Sequence, residues 1–269
     1  KRKLNKSMAE IQSLARGLKI LEIMAESEFG IGVTELAEQL QVDKSTASRL
    51  VQTLVKDGFV QRSEDGRTYT LGPTLVNLSR SVIIRMPLRE AAKPFLRELV
   101  ELSGECAHLA IYAQGKALYI DQMESPSTLR VNVEVGHMAP LHCTALGKAL
   151  LAFGDYPIPY ELEGYTSKTI KDPKILQREL QQVKEQGYAI DDEEFDPDVR
   201  CIASPVFDYR DKLVGAIGIS GPSTRLSIPR IKVLAPKIKN IAQQLSDKLG
   251  FNIDKRTAKW STKKSRKRE

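Results

Sequence analysis

The stretch from residue 32 to residue 72 constrains the fold more than any other part of the chain. It has the pattern of a short helix, a tight turn, a second helix and a β-hairpin. In the second helix, apolar side chains recur at intervals of three and four residues, which gathers them into one stripe that must face a core. The residues of this stripe are Ala47, Leu50, Val51, Leu54 and Val55.

The opposite face of the same helix is polar. Its side chains can donate hydrogen bonds to phosphate oxygens or to base edges, which suits a helix that lies in a groove of DNA. This polar composition favours DNA binding over the alternative, in which the small helical unit is a protein-protein interaction module. The residues of the polar face are Ser45, Ser48, Arg49, Gln52 and Lys56.

Both ends of the second helix carry boundary signals, and a hairpin follows it. Asp43 is placed to cap the N-terminus, and Gly58 fits the left-handed position after the C-terminus. Two strands at 59–62 and 68–71 then flank a tip at 64–67, which forms a wing. The stretch therefore predicts a winged helix-turn-helix.

Length and composition indicate a two-domain protein. The chain has 269 residues, more than the ~100–200 expected of one domain. Hydrophobic residues make up 41% and charged residues 28%, as in soluble globular proteins. No run approaches the ~18 apolar residues of a membrane helix, and the polar start lacks the apolar segment of a signal peptide, so we expect a cytoplasmic protein. Three widely spaced cysteines argue against a disulfide framework and against a zinc cluster of CxxC pairs.

The net charge of +7 is concentrated at one end of the chain. Residues 255–269 hold eight lysines and arginines and one glutamate, so this segment has a net charge of +7. That is the charge of the whole chain, and the remainder is therefore neutral. Four further basic residues lie within the first six positions. We expect both ends to be disordered, and the tail to act either as a solubilising segment or as a phosphate-binding segment.

Helical patterns surround the predicted wing. One helix begins at Ser13, a predicted N-cap, and runs to about residue 27. A second, the linker helix, occupies 73–85 and is broken by the Met86-Pro87 step, and an amphipathic helix with an internal proline follows at 88–103.

Beyond residue 104 the hydrophobic pattern changes from period 3.6 to period 2, which indicates a second domain of α+β class. Helices are expected from about residue 144, at 173–187 and at 226–249. Strands flanked by helices suggest a sensor fold of the GAF or PAS kind. The predicted strands lie at 108–113, 117–124, 129–135, 188–194, 201–209 and 213–220.

Three motifs carry a resemblance to a known family. The first is Gly58-Phe59-Val60 followed by Tyr69-Thr70-Leu71-Gly72, and the second is LHCTALGKA at 141–149. The most specific comprises Gly187, Asp191 and Glu194 followed by CIASPVFD at 201–208. Over nearly its whole length the chain resembles the IclR family of bacterial transcriptional regulators.

The resemblance implies a winged-helix domain, a dimerising linker helix and a GAF-like effector-binding domain that oligomerises further, typically to a tetramer. It also implies double-stranded DNA and a small-molecule effector as partners, with RNA polymerase as a further candidate partner, and neither an enzyme activity nor a cofactor. The basic tail is not part of the family pattern. The expected segments are a basic arm at 1–12, the DNA-binding domain at 13–72, the linker helix at 73–86, the effector domain at 87–251 and the tail at 252–269.

For DNA recognition, the polar face and the resemblance agree. We expect Ser48, Arg49 and Gln52 to read bases, although Thr46 could instead be a buried residue of the first helical turn. The residues expected in the major groove are Lys44, Ser45, Thr46, Ser48, Arg49 and Gln52, and those expected on phosphates or in the minor groove are Ser13, Arg16 and Arg67.

The predicted helix at Thr144 offers an effector site. Free backbone N–H groups and the positive end of the helix dipole favour an anion there, so a small carboxylate is the expected ligand. The resemblance implies that Asp191, Cys201 and Ser220 line the pocket with backbone groups of Ala145 and Leu146. The alternatives are an acid in a turn for Asp191, a small core residue for Cys201 and a strand-end cap for Ser220.

Three other interpretations stay open at this stage. Cys143 or Cys201 with His142 and Asp191 could form the nucleophile, base and orienting acid of a hydrolase, although no strained nucleophile turn or oxyanion hole is evident. His142, Asp191 and Cys201 could instead bind a metal such as zinc. The chain could also be a DNA-architectural protein, in which case no small molecule would change its affinity for an operator.

Overall fold

The computed structural model describes residues 11–27, 29–64, 66–84 and 86–251. The predicted basic arm and the predicted basic tail therefore lie almost wholly outside the described residues. The chain forms two compact units, Lys1–Met86 and Pro87–Glu269. Each unit is described by itself below.

The described part of the N-terminal unit consists of three helices, a two-stranded hairpin and a fourth helix after the hairpin. The first three helices are α1 (Gln12–Glu26), α2 (Val33–Gln39) and α3 (Lys44–Lys56), and they enclose an apolar core with Ile20, Leu36 and Val51 fully buried. The prediction that Ser13 caps α1 was wrong. The helix begins at Gln12, one residue before Ser13, so the cap position is Ile11. The Ile11 side chain makes no capping hydrogen bond.

The hairpin consists of β1 (Val60–Arg62) and β2 (Tyr69–Leu71), with residue 31 bridged to Tyr69 at its outer edge. Glycines fix its entry and exit. Gly58 has φ of +74°, the left-handed conformation predicted for it. A Cβ atom on Gly72 would lie 2.3 Å from the carbonyl oxygen of Gly58, so only glycine allows the two ends of the hairpin to meet. The predicted winged helix-turn-helix is confirmed, and the linker helix follows as α4 (Thr74–Ile84).

The C-terminal unit is built on a six-stranded antiparallel sheet in the order β5-β4-β3-β8-β7-β6. The α+β prediction is confirmed, as are the predicted helices. The strands are β3 (Cys106–Ala113), β4 (Lys116–Met123), β5 (Met138–Ala139), β6 (Ala189–Asp192), β7 (Val199–Phe207) and β8 (Leu213–Pro222), and the helices are α5 (Pro87–Ser103), α6 (Ala145–Phe153), α7 (Pro173–Gln186) and α8 (Ile228–Lys248).

Helices cover the two faces of the sheet differently. α6 and α7 share one core cluster with Ala110, Ala203 and Ala216 of the sheet. α5 and α8 pack against each other and against the sheet but contribute nothing to that cluster, so they cover the other face. As a result, α6 lies over β6, β7 and β8, where the predicted effector residues are found.

One predicted strand, at 129–135, was wrong. Its apolar residues alternate as in a half-buried strand, but Leu129 and Val135 are 69% and 47% exposed. The neighbouring position on β4 is taken by β5 and by backbone bonds between Tyr119 and residues 136 and 137. Among the described residues, the segment 129–135 therefore does not pair with this part of β4. Among the described residues, no helix has the length and apolar character to cross a membrane.

Candidate DNA interface and candidate effector site

One carboxylate holds the N-terminus of α3. Asp43 accepts hydrogen bonds from the Thr46 backbone N–H at 2.9 Å, the Ser45 hydroxyl at 2.5 Å and the Thr46 hydroxyl at 2.7 Å. These bonds, that of Ser45 first, hold the pKa of Asp43 well below its usual range. The predicted cap is confirmed. Because each hydroxyl donates its proton to Asp43, neither Ser45 nor Thr46 has one left for a phosphate, and Thr46 fits the alternative of a half-buried first-turn residue.

The middle of α3 presents the groups that remain available. Arg49 and Lys44 are exposed, and neither side chain bonds to another described residue, whereas Ser48 is half-buried. The Gln52 amide donates to the Tyr69 hydroxyl of the wing at 3.2 Å, which fixes its orientation. Among the described residues, Arg49 is therefore the long, unpaired donor at the centre of the polar face.

Arg62 is a wing residue that the sequence interpretation did not single out. Its guanidinium lies 5.9 Å from the centre of the Tyr69 ring, the same ring whose hydroxyl holds Gln52. α3 and the wing are thus joined at Tyr69. The signal that could have found Arg62 is its place at the end of β1, beside the tip of the wing.

The three residues predicted to contact phosphates or the minor groove lie in different surroundings. Arg67 is exposed on the wing and Arg16 is half-buried in α1. Ser13 lies at the edge of an apolar groove of about 470 Å³ between α1 and α3. The α3 residues that line this groove are Leu50, Thr53 and Leu54, none of which belongs to the polar face, so Ser13 lies beside the apolar stripe of α3.

In the C-terminal unit, a helix begins after Thr144 as predicted, and Thr144 is its N-cap. Its hydroxyl accepts the Gly147 N–H at 3.1 Å and donates to the Pro140 carbonyl at 2.7 Å. The backbone N–H groups of Ala145 and Leu146 bond to no other described residue. Two donors at the positive end of a helix are suited to a carboxylate.

The strand register brings the other predicted effector residues into one row. Asp191 of β6 is directly opposite Cys201 of β7, and Cys201 is directly opposite Ser220 of β8. Residues directly opposite each other in antiparallel strands share a face. Cys201 packs against the core cluster that contains Ala145 and Leu146, so the row lies on the α6 side of the sheet.

Asp191 is also a structural residue. Its carboxylate accepts the Glu194 backbone N–H at 2.8 Å, which stabilises the turn after β6 as the alternative interpretation held. Burial is the largest influence on it and raises the pKa of Asp191 to about 7. The carboxyl group is therefore divided between its neutral and charged forms near neutral pH.

His108 and Tyr119 belong to the same face, and the sequence interpretation missed both. The His108 Nε2 and Ser220 Oγ atoms are 2.6 Å apart, and the Tyr119 ring meets the imidazole edge-on at 5.6 Å. Both side chains are buried. The signal that could have found His108 is its place two residues after Cys106, which puts a polar ring on the buried face of an apolar strand.

A buried ion cluster lies farther along α6. Lys148 is fully buried, and its ammonium group lies 2.6 Å from the Glu194 carboxylate and 3.2 Å from that of Glu179 on α7. Burial lowers the pKa of Lys148, but the two carboxylates raise it by a larger amount. The net shift of the pKa is upward, so the lysine is charged. The cluster ties α6 to α7 and to the turn after β6.

The segment 154–172, which has no helix or strand, is attached to that turn. The hydroxyls of Thr166 and Thr169 donate to the carbonyls of residues 193 and 194 at 2.7 and 2.6 Å. The ring of Tyr165 contacts Phe195. This segment therefore adjoins the row that begins at Asp191.

The geometry gives no support to a hydrolase or a metal site. The His142 Nε2 atom is 2.9 Å from the Glu163 carbonyl oxygen, and burial raises the pKa of Cys143 to about 12 and that of Cys201 well above its ordinary value. Neutral thiols are poor nucleophiles. No group of three or more His, Cys, Asp or Glu residues in the described part of the chain is placed to hold a metal, so His142, Asp191 and Cys201 do not form such a site there.

Comparisons with known proteins match both units. The family model "IclR helix-turn-helix domain" matches residues 13–64, and "Bacterial transcriptional regulator IclR C-terminal" matches residues 80–247. The chain is 35% identical over 243 residues to the HTH-type transcriptional regulator BhcR of Paracoccus denitrificans, covering 88% of this chain and 86% of that protein.

Two solved structures share the fold. The crystal structure of the Thermotoga maritima IclR is 29% identical with a TM-score of 0.71, covering 90% of this chain and 100% of that one. An IclR homolog from Microbacterium hydrocarbonoxydans, complexed with 4-hydroxybenzoate, has a TM-score of 0.74 over 88% of this chain and 98% of that one. At 22% identity, the second likeness is one of fold.

Proposed function

The chain belongs to the IclR family of bacterial transcriptional regulators, and from this premise we propose that a small organic or aromatic acid, bound in the C-terminal unit, controls its binding to a DNA operator. The regulator binds DNA through its helix-turn-helix. The single observation that carries the effector proposal is the pair of N–H groups at Ala145 and Leu146. They bond to no other described residue, and they begin a helix that packs against the strands of the row from Asp191 to Ser220.

At the operator, α3 enters the major groove and Arg49 reads a guanine with its forked guanidinium, helped by Ser48 and Gln52. Lys44 also lies in the major groove, where Ser45 and Thr46 contribute little because their hydroxyls donate to Asp43. Arg16, Arg67 and Ser13 contact phosphates or the minor groove. The operator is a pseudo-palindrome read by two protomers joined through α4, because two-fold symmetry in the protein requires it in the DNA. We also propose that the protein assembles into a tetramer, contacts RNA polymerase and lies in the cytoplasm.

In the effector site, the ligand carboxylate accepts the N–H groups of Ala145 and Leu146. Cys201 and Ser220 form small polar walls, Thr144 positions the helix terminus, and Asp191 bonds to a ligand hydroxyl. A second ligand carboxylate against Asp191 would be repelled, which favours monoanions. The complex of the Microbacterium hydrocarbonoxydans homolog with 4-hydroxybenzoate supports an acid of this kind.

The test is a thermal-shift screen of short organic and aromatic acids, followed by operator binding with and without each hit. The operator is first selected from a randomised DNA library. A ligand should stabilise the wild type by an amount that grows with the logarithm of its concentration. An acid that carries a hydroxyl group should stabilise Asp191→Ala less.

A second variant separates ligand contact from turn stability. Ala145→Pro removes one N–H at the first position of α6, where proline is tolerated, and Thr144 before it already has the extended backbone that proline requires. We expect its affinity for the acid to fall at least roughly tenfold, as for a lost hydrogen bond to a charged group. Equal binding of every hit by all three proteins would place the pocket elsewhere. Binding without any change in operator affinity would favour the architectural alternative.

A further inference from the structure

Tyr69 joins the wing to α3 through two different parts of its side chain. Its hydroxyl accepts an N–H of the Gln52 amide at 3.2 Å. Its ring lies under the guanidinium of Arg62, with the Arg62 Cζ atom 5.9 Å from the ring centre. Tyr69 is buried in the core of the N-terminal unit, whereas Gln52 and Arg62 are exposed. One fixed side chain thus holds two polar groups at the surface where α3 meets the wing.

The strand register places Arg62 on the side of the wing that faces α3. Arg62 of β1 is directly opposite Tyr69 of β2, so their side chains share a face of the hairpin. Because the Tyr69 hydroxyl reaches Gln52, this face is turned towards α3. The guanidinium also lies beside the wing tip, since a Cβ atom on Gly66 would be 3.8 Å from the Arg62 Cζ and Nε atoms.

Both polar groups keep hydrogen-bonding capacity for a partner. A cation–π contact uses the face of the guanidinium and leaves its N–H groups available, and Arg62 forms no hydrogen bond or ion pair with another described residue. Gln52 donates one N–H to Tyr69 and retains its carbonyl oxygen and its second N–H. The Tyr69 hydroxyl therefore orients an amide that can still contact a base edge.

We propose that Tyr69 is a positioning residue for DNA recognition: its hydroxyl orients Gln52 for contact with one base pair, and its ring holds Arg62 against a backbone phosphate. This inference rests on the proposed function, in which α3 lies in the major groove. A guanidinium beside a helix in the groove suits a phosphate, because Arg donors bind phosphate oxygens strongly and such contacts orient the protein on the duplex. The inference adds Arg62 to the DNA interface.

The role of the hydroxyl is tested on the operator selected from a randomised library. The preference at a base pair is the ratio of the affinities for this operator and for the same DNA substituted at that pair, measured by fluorescence anisotropy. Gln52→Ala should reduce the preference at one base pair roughly 5- to 100-fold. Tyr69→Phe keeps the ring but leaves Gln52 mobile. Its preference at the same pair should fall at least roughly twofold, because binding must then immobilise a free side chain.

A double variant separates positioning from a general structural role. If Tyr69 acts through Gln52, Tyr69→Phe should cause no further loss of preference in the Gln52→Ala background. Thr53→Val is the matched control for loss of a hydroxyl. Thr53 is exposed beside Gln52 on α3, but its hydroxyl donates to the backbone carbonyl of Arg49. This variant should retain the full preference.

The role of Arg62 has a different signature. Arg62→Ala should weaken binding to operator and to random DNA by the same factor. It should also flatten the slope of log affinity against log salt by roughly one unit, as for one lost phosphate contact. Arg62→Lys keeps the charge and should keep the slope. Neither variant should change the preference at the base pair that depends on Gln52.

The outcomes separate this inference from the proposed function. If the wild type selects no sequence from the library, the proposed function fails and the inference fails with it. If an operator is selected, an unchanged preference in Gln52→Ala or in Tyr69→Phe would overturn the inference alone. An equal effect of Tyr69→Phe on the preference with and without Gln52, or an unchanged salt slope in Arg62→Ala, would also overturn it.

Discussion

Arg49 shows how intramolecular bonds decide which polar side chains remain for a partner. Five of the residues predicted for the major groove lie on α3 with it, but Ser45 and Thr46 donate to Asp43 and Gln52 donates to Tyr69. Arg49 has no such partner among the described residues and is exposed. Its guanidinium is therefore free to make a bidentate contact with guanine.

Arg49→Ala should abolish specific operator binding while leaving the melting temperature unchanged, because an exposed side chain without partners contributes little to stability. The expected loss is roughly 1–3 kcal/mol at one base pair. Selection from a randomised operator library measures it, with Lys56→Ala on the same face as the control. An unchanged sequence preference would contradict the assignment.

Asp191 should make effector affinity depend on pH. Its pKa is raised to about 7 by burial, so the carboxyl is neutral below that pH and charged above it. A charged Asp191 repels an anionic ligand, and even at the dielectric constant of water two unit charges 4 Å apart interact by ~1 kcal/mol. Affinity should therefore fall roughly three- to fourfold as pH rises from 6 to 8.

Calorimetric titration with benzoate suits this measurement, since that ligand stays ionised throughout the range. Asp191→Asn is the comparison variant, because an amide keeps a hydrogen-bonding oxygen for the Glu194 N–H but does not titrate. Its affinity should be constant between the two pH values. A wild-type affinity that rose with pH would rule out a ligand carboxylate close to Asp191.

At the scale of elements, the wing depends on close backbone approach. A Cβ atom on Gly72 would meet the Gly58 carbonyl oxygen at 2.3 Å and the Val60 nitrogen at 2.9 Å, and both belong to backbone that cannot turn aside. Gly72→Ala should therefore destabilise the N-terminal unit by about 1–3 kcal/mol or more. Operator binding should weaken with it.

Gly17→Ala is the matched control. Gly17 lies inside α1, and a Cβ atom there would meet nothing within 4 Å. The substitution should stabilise the unit by about 0.5–1 kcal/mol, because alanine loses less backbone entropy than glycine in a helix. Urea unfolding followed by circular dichroism measures both variants, and shifts of the same sign would contradict the steric explanation for Gly72.

The sequence predicted the helices and strands better than it predicted which strands and side chains lie next to each other. Apolar periodicity and caps identified α3, α6 and α7, because those signals are local. The strand predicted at 129–135 failed because a strand also needs a partner, which no local pattern supplies. Likewise, the row from Asp191 to Ser220 depends on the register of three strands, and the contact between His108 and Ser220 joins residues 112 positions apart. A single sequence carries no direct signal for such pairs.

At the scale of the whole molecule, charge and recognition are separated along the chain. Residues 255–269 contain eight basic residues and one acidic residue, so the rest of the chain is neutral. Lysines and arginines attract phosphates without reading sequence. The tail is therefore a candidate for general DNA attraction, while in the proposed interface Arg49 and its neighbours on α3 would supply selectivity.

Deleting residues 255–269 should lower affinity for all DNA sequences alike and make it less dependent on salt. Because the eight basic residues of the tail can neutralise at most eight phosphates, the slope of log affinity against log salt should flatten by no more than roughly 7 units. Fluorescence anisotropy with operator and random DNA from about 50 to 200 mM salt is the measurement. A changed ratio between the two DNAs would mean that the tail takes part in recognition.

The buried Lys148 affects the rate at which an effector can enter and leave the proposed site. Moving α6 would separate this lysine from Glu194 and Glu179 in the interior of the unit, and breaking a buried ion pair costs ~3–5 kcal/mol. On the proposed effector site, the helix that would hold the ligand is therefore fixed. We expect ligand entry to depend instead on the segment 154–172, which is attached to the neighbouring turn by the hydroxyls of Thr166 and Thr169. Residence time and affinity are thus set by different parts of the chain: weakening the threonine bonds should speed association and dissociation together and leave their ratio nearly constant.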